Sequence, residues 1–415
     1  MAKAEIVEEP QAQAEKIDNA DLLIGVAGPA NMAEVKAKLD QIRLEMVSSV
    51  TRLKIVFACL GAGGLDENVD PRGIPIHLVD LQMPAADPSA NPWVIASQSS
   101  RALLSLARQV NARVSIVLGS DLLGLDVLTI ERLSFPILEK QSDLVMPVYP
   151  AARFEGLINS AILAPLNRAL YGLRVRYPLP LEFSCSLRMA GLLSQQESAH
   201  AASSQQQMLY PATTAAITGS QISQTHLALQ HEAQTDGLDL STVLAQLAGS
   251  AFLQMEQLAP HWQRVRGSQP LQSWDPPTVG KENGGPIDVS PMIDSFMLAS
   301  RNLQEVWGLV LPPVTMLELK HLARLPAAQF RMPDELWVRI IYDFALAHRL
   351  RTLSRVHLLG ALTPLYLAWV ASYAQEVGTM PAMAVEQRLE QLARAYESGK
   401  PYLVSRWRWP DRFNP

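Results

Sequence analysis

The side chains best suited to chemistry lie just past one of the most apolar short runs in the chain. Ala112–Leu118 (ARVSIVL) is followed at once by Gly119, Ser120 and Asp121. A carboxylate closing a central strand can hold a divalent cation, and such a cation can neutralise a departing diphosphate. The same aspartate would serve equally as a helix N-cap or a loop carboxylate, so its position alone names no reaction. Glu182 and His231, taken singly, read as a solvated turn carboxylate and a surface histidine at a strand end. Arg168 and Arg174–Arg176 could face phosphates, although arginines on helix surfaces and loops are usually solvated.

These groups need elements to position them. Ala20–Val26 predicts a short strand buried on both faces. Ala33–Met46 predicts a helix with Val35, Leu39, Ile42 and Met46 on one stripe. Arg52–Leu60 and Pro75–Leu81 predict two more strands, the first ended by the glycines of GAGG at 61–64. A helix over Ser97–Val110 then precedes the strand Ala112–Leu118. This β-α-β-β-α-β order implies a doubly wound, mainly parallel sheet, with ligands beyond the C-terminal ends of its strands. That directs attention to residues 119–121.

Further on, Leu128–Leu138 predicts a helix, Asp143–Val148 a strand, and Ile158–Leu170 a long apolar helix closed by Gly172. Ser194–Gln207 is Ser/Gln-rich and predicts a surface loop or a polar helix. Ile222–Leu229 predicts an edge strand. From Leu238 the periodicity is helical, broken by a Pro/Gly-rich stretch at Gly267–Pro291. Pro333-Asp334-Glu335 marks a later helix start. The expected organisation is an acidic flexible tail (1–19), an α/β domain (20–237) and a helical C-terminal domain (238–415).

Composition limits the function classes. The 415 residues are 48% hydrophobic and 18% charged, enough to bury substantial cores. A net charge of −5 argues against general nucleic-acid binding. The two cysteines, Cys59 and Cys185, cannot build a disulfide framework and suit small buried hydrophobes in a reducing, cytoplasmic setting. The acidic start carries no apolar signal core. Val356–Ala374 has no formal charge over nearly the length of a membrane span. Its His357, Thr363, Pro364 and Ser372 favour a buried core helix, so no span is expected.

The longer pattern over 120–183 resembles GT-A glycosyltransferases of the family-2-like group that includes glucosyl-3-phosphoglycerate and mannosylglycerate synthases. The pieces that carry the resemblance are Asp121-Leu122, Val145–Tyr149 (VMPVY), Glu155–Asn159 (EGLIN), Pro165–Gly172 (PLNRALYG) and Pro178–Phe183 (PLPLEF). Residues 224–256, 361–376 and 400–407 extend it nearly to the end of the chain. The resemblance implies a GT-A fold: a Rossmann-like, mainly parallel sheet with helices on both faces, then a mostly α-helical C-terminal domain. It implies transfer of a sugar from a UDP- or GDP-sugar donor to a small acceptor, with retention. Asp121 and His231 would ligate Mn2+ or Mg2+, and Asn31, Ser120, Asp121 and Arg153 would contact the donor. Glu182 would be the catalytic carboxylate beside the reacting sugar.

Departures from that family fall on donor-binding positions. Gly119 replaces the first aspartate of the D-x-D pair. Ala27–Asn31 lacks the acidic residue of the first loop, and Gln98-Ser99-Ser100 lacks the lysine of a G-K-G. Ala151-Ala152 replaces a basic pair, and Pro180 and Leu181 replace two glycines. A catalytically silent relative acting as a binding or regulatory subunit is therefore the alternative, as is another activity on a phosphorylated ligand. The apolar C-terminal helices leave room for a homodimer.

Overall fold

The computed structural model describes residues 17, 19–46, 53–62, 76–81, 92–120, 122, 125–150, 153–195, 208, 210–229, 239–275 and 287–410. The chain forms two compact units that interleave in sequence. The first comprises Met1–Tyr149, Arg176–Glu232 and Leu271–Thr278, and the second Pro150–Val175, Ala233–Pro270 and Val279–Pro415.

The first unit is built on eight strands: β1 Leu22–Val26, β2 Ile55–Cys59, β3 Ile76–Asp80, β4 Val114–Leu118, β5 Leu144–Val148, β6 Phe183–Ser186, β7 Ile222–His226 and β8 Gln272–Ser273. They are ordered β3-β2-β1-β4-β6-β5-β7-β8. All pairs are parallel except those of β6, which runs antiparallel to both β4 and β5. The apolar runs of β1, β2 and β4 are buried along their whole length, as expected for strands covered on both faces.

Helices α1 (Met32–Glu45) and α3 (Val127–Leu138) pack Val35, Leu39, Ile42, Ile130 and Leu133 against Leu22, Ile24 and Val26. The alternate face of β1 meets α2 (Pro92–Gln109), whose Leu103 lies against Gly25. Thus the sheet is mainly parallel and carries helices on both faces. Helices α5 (Leu187–Gln195) and α6 (Pro211–Thr218) complete this unit.

Two sequence expectations need correction here. Phe183–Ser186 lies where no strand is expected, since two serines in four residues hide any apolar signal. It is nonetheless an inner strand. Ser184 is fully buried, and its hydroxyl is satisfied by the Leu133 carbonyl of α3. The strand over 222–229 is not at the edge, since β8 pairs beyond it, and it ends at His226. Two residues inside a Pro/Gly-rich stretch carry no periodicity from which β8 could be read.

The second unit is helical. The segment expected as one helix over 158–170 begins with a π-helical turn, Asn159–Leu163, and continues as α4, Ala164–Tyr171. Pro165 has no N–H to return to the Ala161 carbonyl. That carbonyl instead accepts the Trp337 indole N–H at 3.0 Å and the Tyr396 hydroxyl at 2.8 Å. Gly172, at φ 74°, closes α4.

The remaining helices are α7 (Leu240–Gln257), α8 (Ala259–Trp262), α9 (Ser290–Asn302), α10 (Gln304–Val310), α11 (Pro313–Leu322), α12 (Asp334–Leu350), α13 (Arg355–Val377) and α14 (Ala382–Arg408). The long apolar α13 would satisfy the length and composition of a membrane span. However, 67% of its apolar window is buried inside the structure, and Trp369 stacks on Trp337 of α12 at 5.9 Å. It packs as a core helix.

Candidate functional site

The chain leaves β1 in one direction to form β2 and β3, then returns across α2 to place β4 on the other side of β1. Loops that follow two such strands diverge, and the crevice between them is where open α/β sheets take ligands. Here those loops are Ala27–Asn31 and Gly119–Ser120. The Ala27 N–H donates to the Leu118 carbonyl at 2.8 Å. Gly28 has φ +124°, and a β-carbon there would stand 3.8 Å from Ser120 Cβ. Only glycine adopts that backbone without strain. The β1 loop therefore turns sharply beside Ser120 and presents main chain in place of side chains.

Asn31 stands at the end of this loop as the N-cap of α1. Its side-chain oxygen accepts the Ala33 N–H at 3.0 Å, which ties the carbonyl to the first turn of the helix. We expect Asn31→Ala to lower stability by about 1 kcal/mol in chemical denaturation. Residues 98–100 lie within α2, with Ser99 fully buried. The stretch matching the family's G-K-G is thus already helix.

Glu182 is 1% exposed, just ahead of β6. One carboxylate oxygen accepts the Gly119 N–H at 3.2 Å, and the other accepts the Tyr149 hydroxyl. Tyr149 in turn accepts the Glu182 N–H at 3.3 Å. Burial, and after it the adjacent carboxylate, drives the Tyr149 phenol well above its ordinary pKa, so it remains a hydrogen-bond donor. The Tyr177 ring meets Tyr149 edge-on at 4.8 Å, and the Arg176 guanidinium lies 5.4 Å from the Tyr177 centroid. The Arg176 N–H reaches the side chain of Gln224 on β7 at 2.9 Å. Sequence reasoning had singled out Glu182 and Tyr149 separately. Their pairing had no local signal, because they lie 33 residues apart.

The structure does not bring every candidate together. Arg153 belongs to the second unit, where its guanidinium donates to the carbonyls of Gly378 and Met380 beyond the end of α13. Arg168 is buried and paired with Glu390 and Glu397. Arg174 bonds the Ser268 hydroxyl at 3.1 Å. Asp121 and His231 lie outside the described residues. Among the described residues, no three His, Cys, Asp or Glu side chains gather closely enough to hold a metal ion. Cys59 and Cys185 are fully buried free thiols, and burial raises both pKa values, that of Cys59 to about 11.

A second polar cluster lies at the end of β7. Thr225 donates to Asp275 at 2.6 Å, Arg132 lies 3.5 Å from the same carboxylate, and Arg132 also donates to the His226 carbonyl at 2.9 Å. Burial, opposed by Asp275 and aided by Arg132, holds the His226 imidazole below its usual pKa.

No protein-family model matches the chain, and no curated protein matches it. Among solved structures, it is similar to glucosyl-3-phosphoglycerate synthase from Mycobacterium tuberculosis in complex with Mn2+, UDP-glucose and phosphoglyceric acid. The identity is 16% and the TM-score 0.36, over 62% of this chain and 86% of that one. The same enzyme with phosphoglyceric acid gives 17% and 0.35 over the same shares. The bifunctional IspDF of Campylobacter jejuni gives 12% and 0.28, over 55% of this chain and 54% of that one.

Proposed function

We propose that this chain is a GT-A-type glycosyltransferase that moves a sugar from a nucleotide-diphosphate donor to a small acceptor, with retention. The observation that carries this reading is the crevice at the β1/β4 switch point. There the tight turn at Gly28 lies beside Ser120, in the first unit. Main-chain groups and a hydroxyl at that place suit a ribose or a phosphate.

In this reading Ser120 and Asp121 face the donor, and the Asn31 amide reaches toward it from the first loop. Asp121 and His231 are the residues proposed to hold Mn2+ or Mg2+. Such an ion, when bound, neutralises the diphosphate leaving group. The residues' own tasks are to orient the donor above β4 and to keep water from its reactive carbon.

A second reading, a silent relative that binds without transferring, is favoured by a specific observation. Glu182 is buried with both oxygens engaged, and the acceptor of Asn31 is spent on a helix cap. Thermal shift separates the two readings. With UDP-glucose, GDP-mannose or free UDP at about 100 times its dissociation constant, binding to the folded state adds about 2.7 kcal/mol. The first reading expects that rise to require Mn2+ and to vanish in Asp121→Ala. Indifference to every nucleotide, with wild type and Asp121→Ala alike, would leave the silent relative.

A further inference from the structure

We propose that Glu182 is a positioning residue which delivers, from the turn ahead of β6, the carboxylate that has no room at position 119. A β-carbon on Gly119 would stand 2.7 Å from Glu182 Oε1 and 3.5 Å from Leu181 Cβ. A side chain at 119 would therefore push the Glu182 carboxylate from its present position. The missing side chain at Gly119 leaves space for the Glu182 carboxylate beside the Gly119 amide.

The bonds of this carboxylate define its task. Oε1 holds the amide of Gly119, the first residue of the loop that carries Ser120 and Asp121. Oε2 holds the Tyr149 hydroxyl directly after β5. Strands β4 and β5 are not neighbours, since β6 lies between them. Glu182 thus ties their two ends together over the intervening strand. From Tyr149 the linkage continues through Tyr177 and Arg176 to Gln224 on β7.

A buried carboxylate with charge-assisted or strong neutral donors on each oxygen is confined to one rotamer. Such a group orients the loop whose amide it holds. The proposal rests on the nucleotide-sugar reading only for what that loop binds. The packing and the bond between positions 119 and 182 stand without it.

The test is a set of thermal unfolding curves on the full chain. Gly119→Asp forces two carboxylates into one space. Glu182→Ala leaves the Gly119 amide and the Tyr149 hydroxyl buried without their acceptor. Each is expected to lower the midpoint by about 4 °C or more. The double variant Gly119→Asp/Glu182→Ala restores one carboxylate to the same space and is expected to regain at least half of the summed loss. Strict additivity of the two losses would overturn the proposal.

Should Gly119→Asp fail to fold, Glu182→Gln against Glu182→Ala tests the latch without a side chain at 119. Glutamine keeps an acceptor for Gly119, so it is expected to retain more stability than alanine; equal losses overturn the latch. Titration with UDP and Mn2+ adds a readout of position. Glu182→Ala is expected to weaken binding about tenfold or more, as a displaced loop would, and glutamine to rescue most of that loss. If wild type binds no UDP while the pair still compensates, the latch stands and the nucleotide reading falls. If UDP binds and the pair is additive, the latch falls alone.

Discussion

Arg168→Ala is expected to destabilise the second unit by about 3–5 kcal/mol, the cost of breaking a buried ion pair from one side. The Arg168 side chain is only 6% exposed. Its guanidinium donates through Nη1 and Nη2 to both oxygens of Glu390 and through Nη2 to Glu397 at 2.9 Å. Burial alone would lower its pKa, but the bonds to the two glutamates outweigh burial and raise it. Removing the guanidinium leaves two carboxylates of α14 facing each other with no cation between them. Both are partly exposed and Glu390 keeps Arg394, so the loss is expected near the lower end of that range.

Arg168→Lys should recover less than half, because an ammonium cannot bridge both acids in the same fork. Urea denaturation measures each loss. The Glu390 pKa is depressed, first by its bond to Arg168. Its contribution is therefore present above its unfolded value and fades as pH falls through the folded one. The alanine variant should accordingly show a flatter acid limb. A loss within about 0.5 kcal/mol, the usual range for surface substitutions, would mean that this pair is merely a surface contact.

The second large effect concerns pH. His348 on α12 is fully buried, and neither ring nitrogen has a hydrogen-bond partner among the described residues. Phe252 packs edge-on at 5.8 Å. Burial first, then Arg355 and Arg351, lowers its pKa from 6.5 to about 4. A depressed folded pKa means that the unfolded chain takes up the proton first as pH falls. Stability from this group is thus complete above pH 6.5 and lost progressively down to pH 4, about 3 kcal/mol in all.

Asp343, one helical turn and a little more before it, acts in the opposite sense. Burial raises its pKa from 3.8 to about 6, against the pull of Arg406 and Tyr402. Its contribution is present below pH 3.8 and is lost as pH rises through 6. The two trends overlap between pH 4 and 6 and partly cancel in the wild type. His348→Leu should remove the first and leave the second, so stability should hold or rise between pH 6.5 and 4.5. Unfolding free energies at four or five pH values decide it, and parallel curves for wild type and variant would refute the assignment.

Much of the first unit was legible because parallel strands buried on both faces are written as continuous apolar runs. The runs ADLLIGV, RLKIVFACL and ARVSIVL appear as β1, β2 and β4 with boundaries shifted by a few residues. Amphipathic spacing located α1 and α3 in the same way. Elements held by tertiary bonds were illegible. Strand β6 is inner although half its residues are serines, because α3 supplies the acceptor for Ser184. The π-helical turn before α4 exists because two aromatic side chains from α12 and α14 take the carbonyl that Pro165 cannot serve.

The candidate site divides along the same line. By itself the sequence determined the alternation of strands and helices through β1–β4 and directed attention to residues 119–121. Apolar period and glycine placement are local properties of a chain. Only the tertiary structure decided that Gly119 is filled by Glu182, which lies 63 residues further on, and that the Asn31 carbonyl is spent on a cap. Those facts depend on which strands become neighbours. Strand order is set by the burial of the whole sheet, and no window of residues carries it.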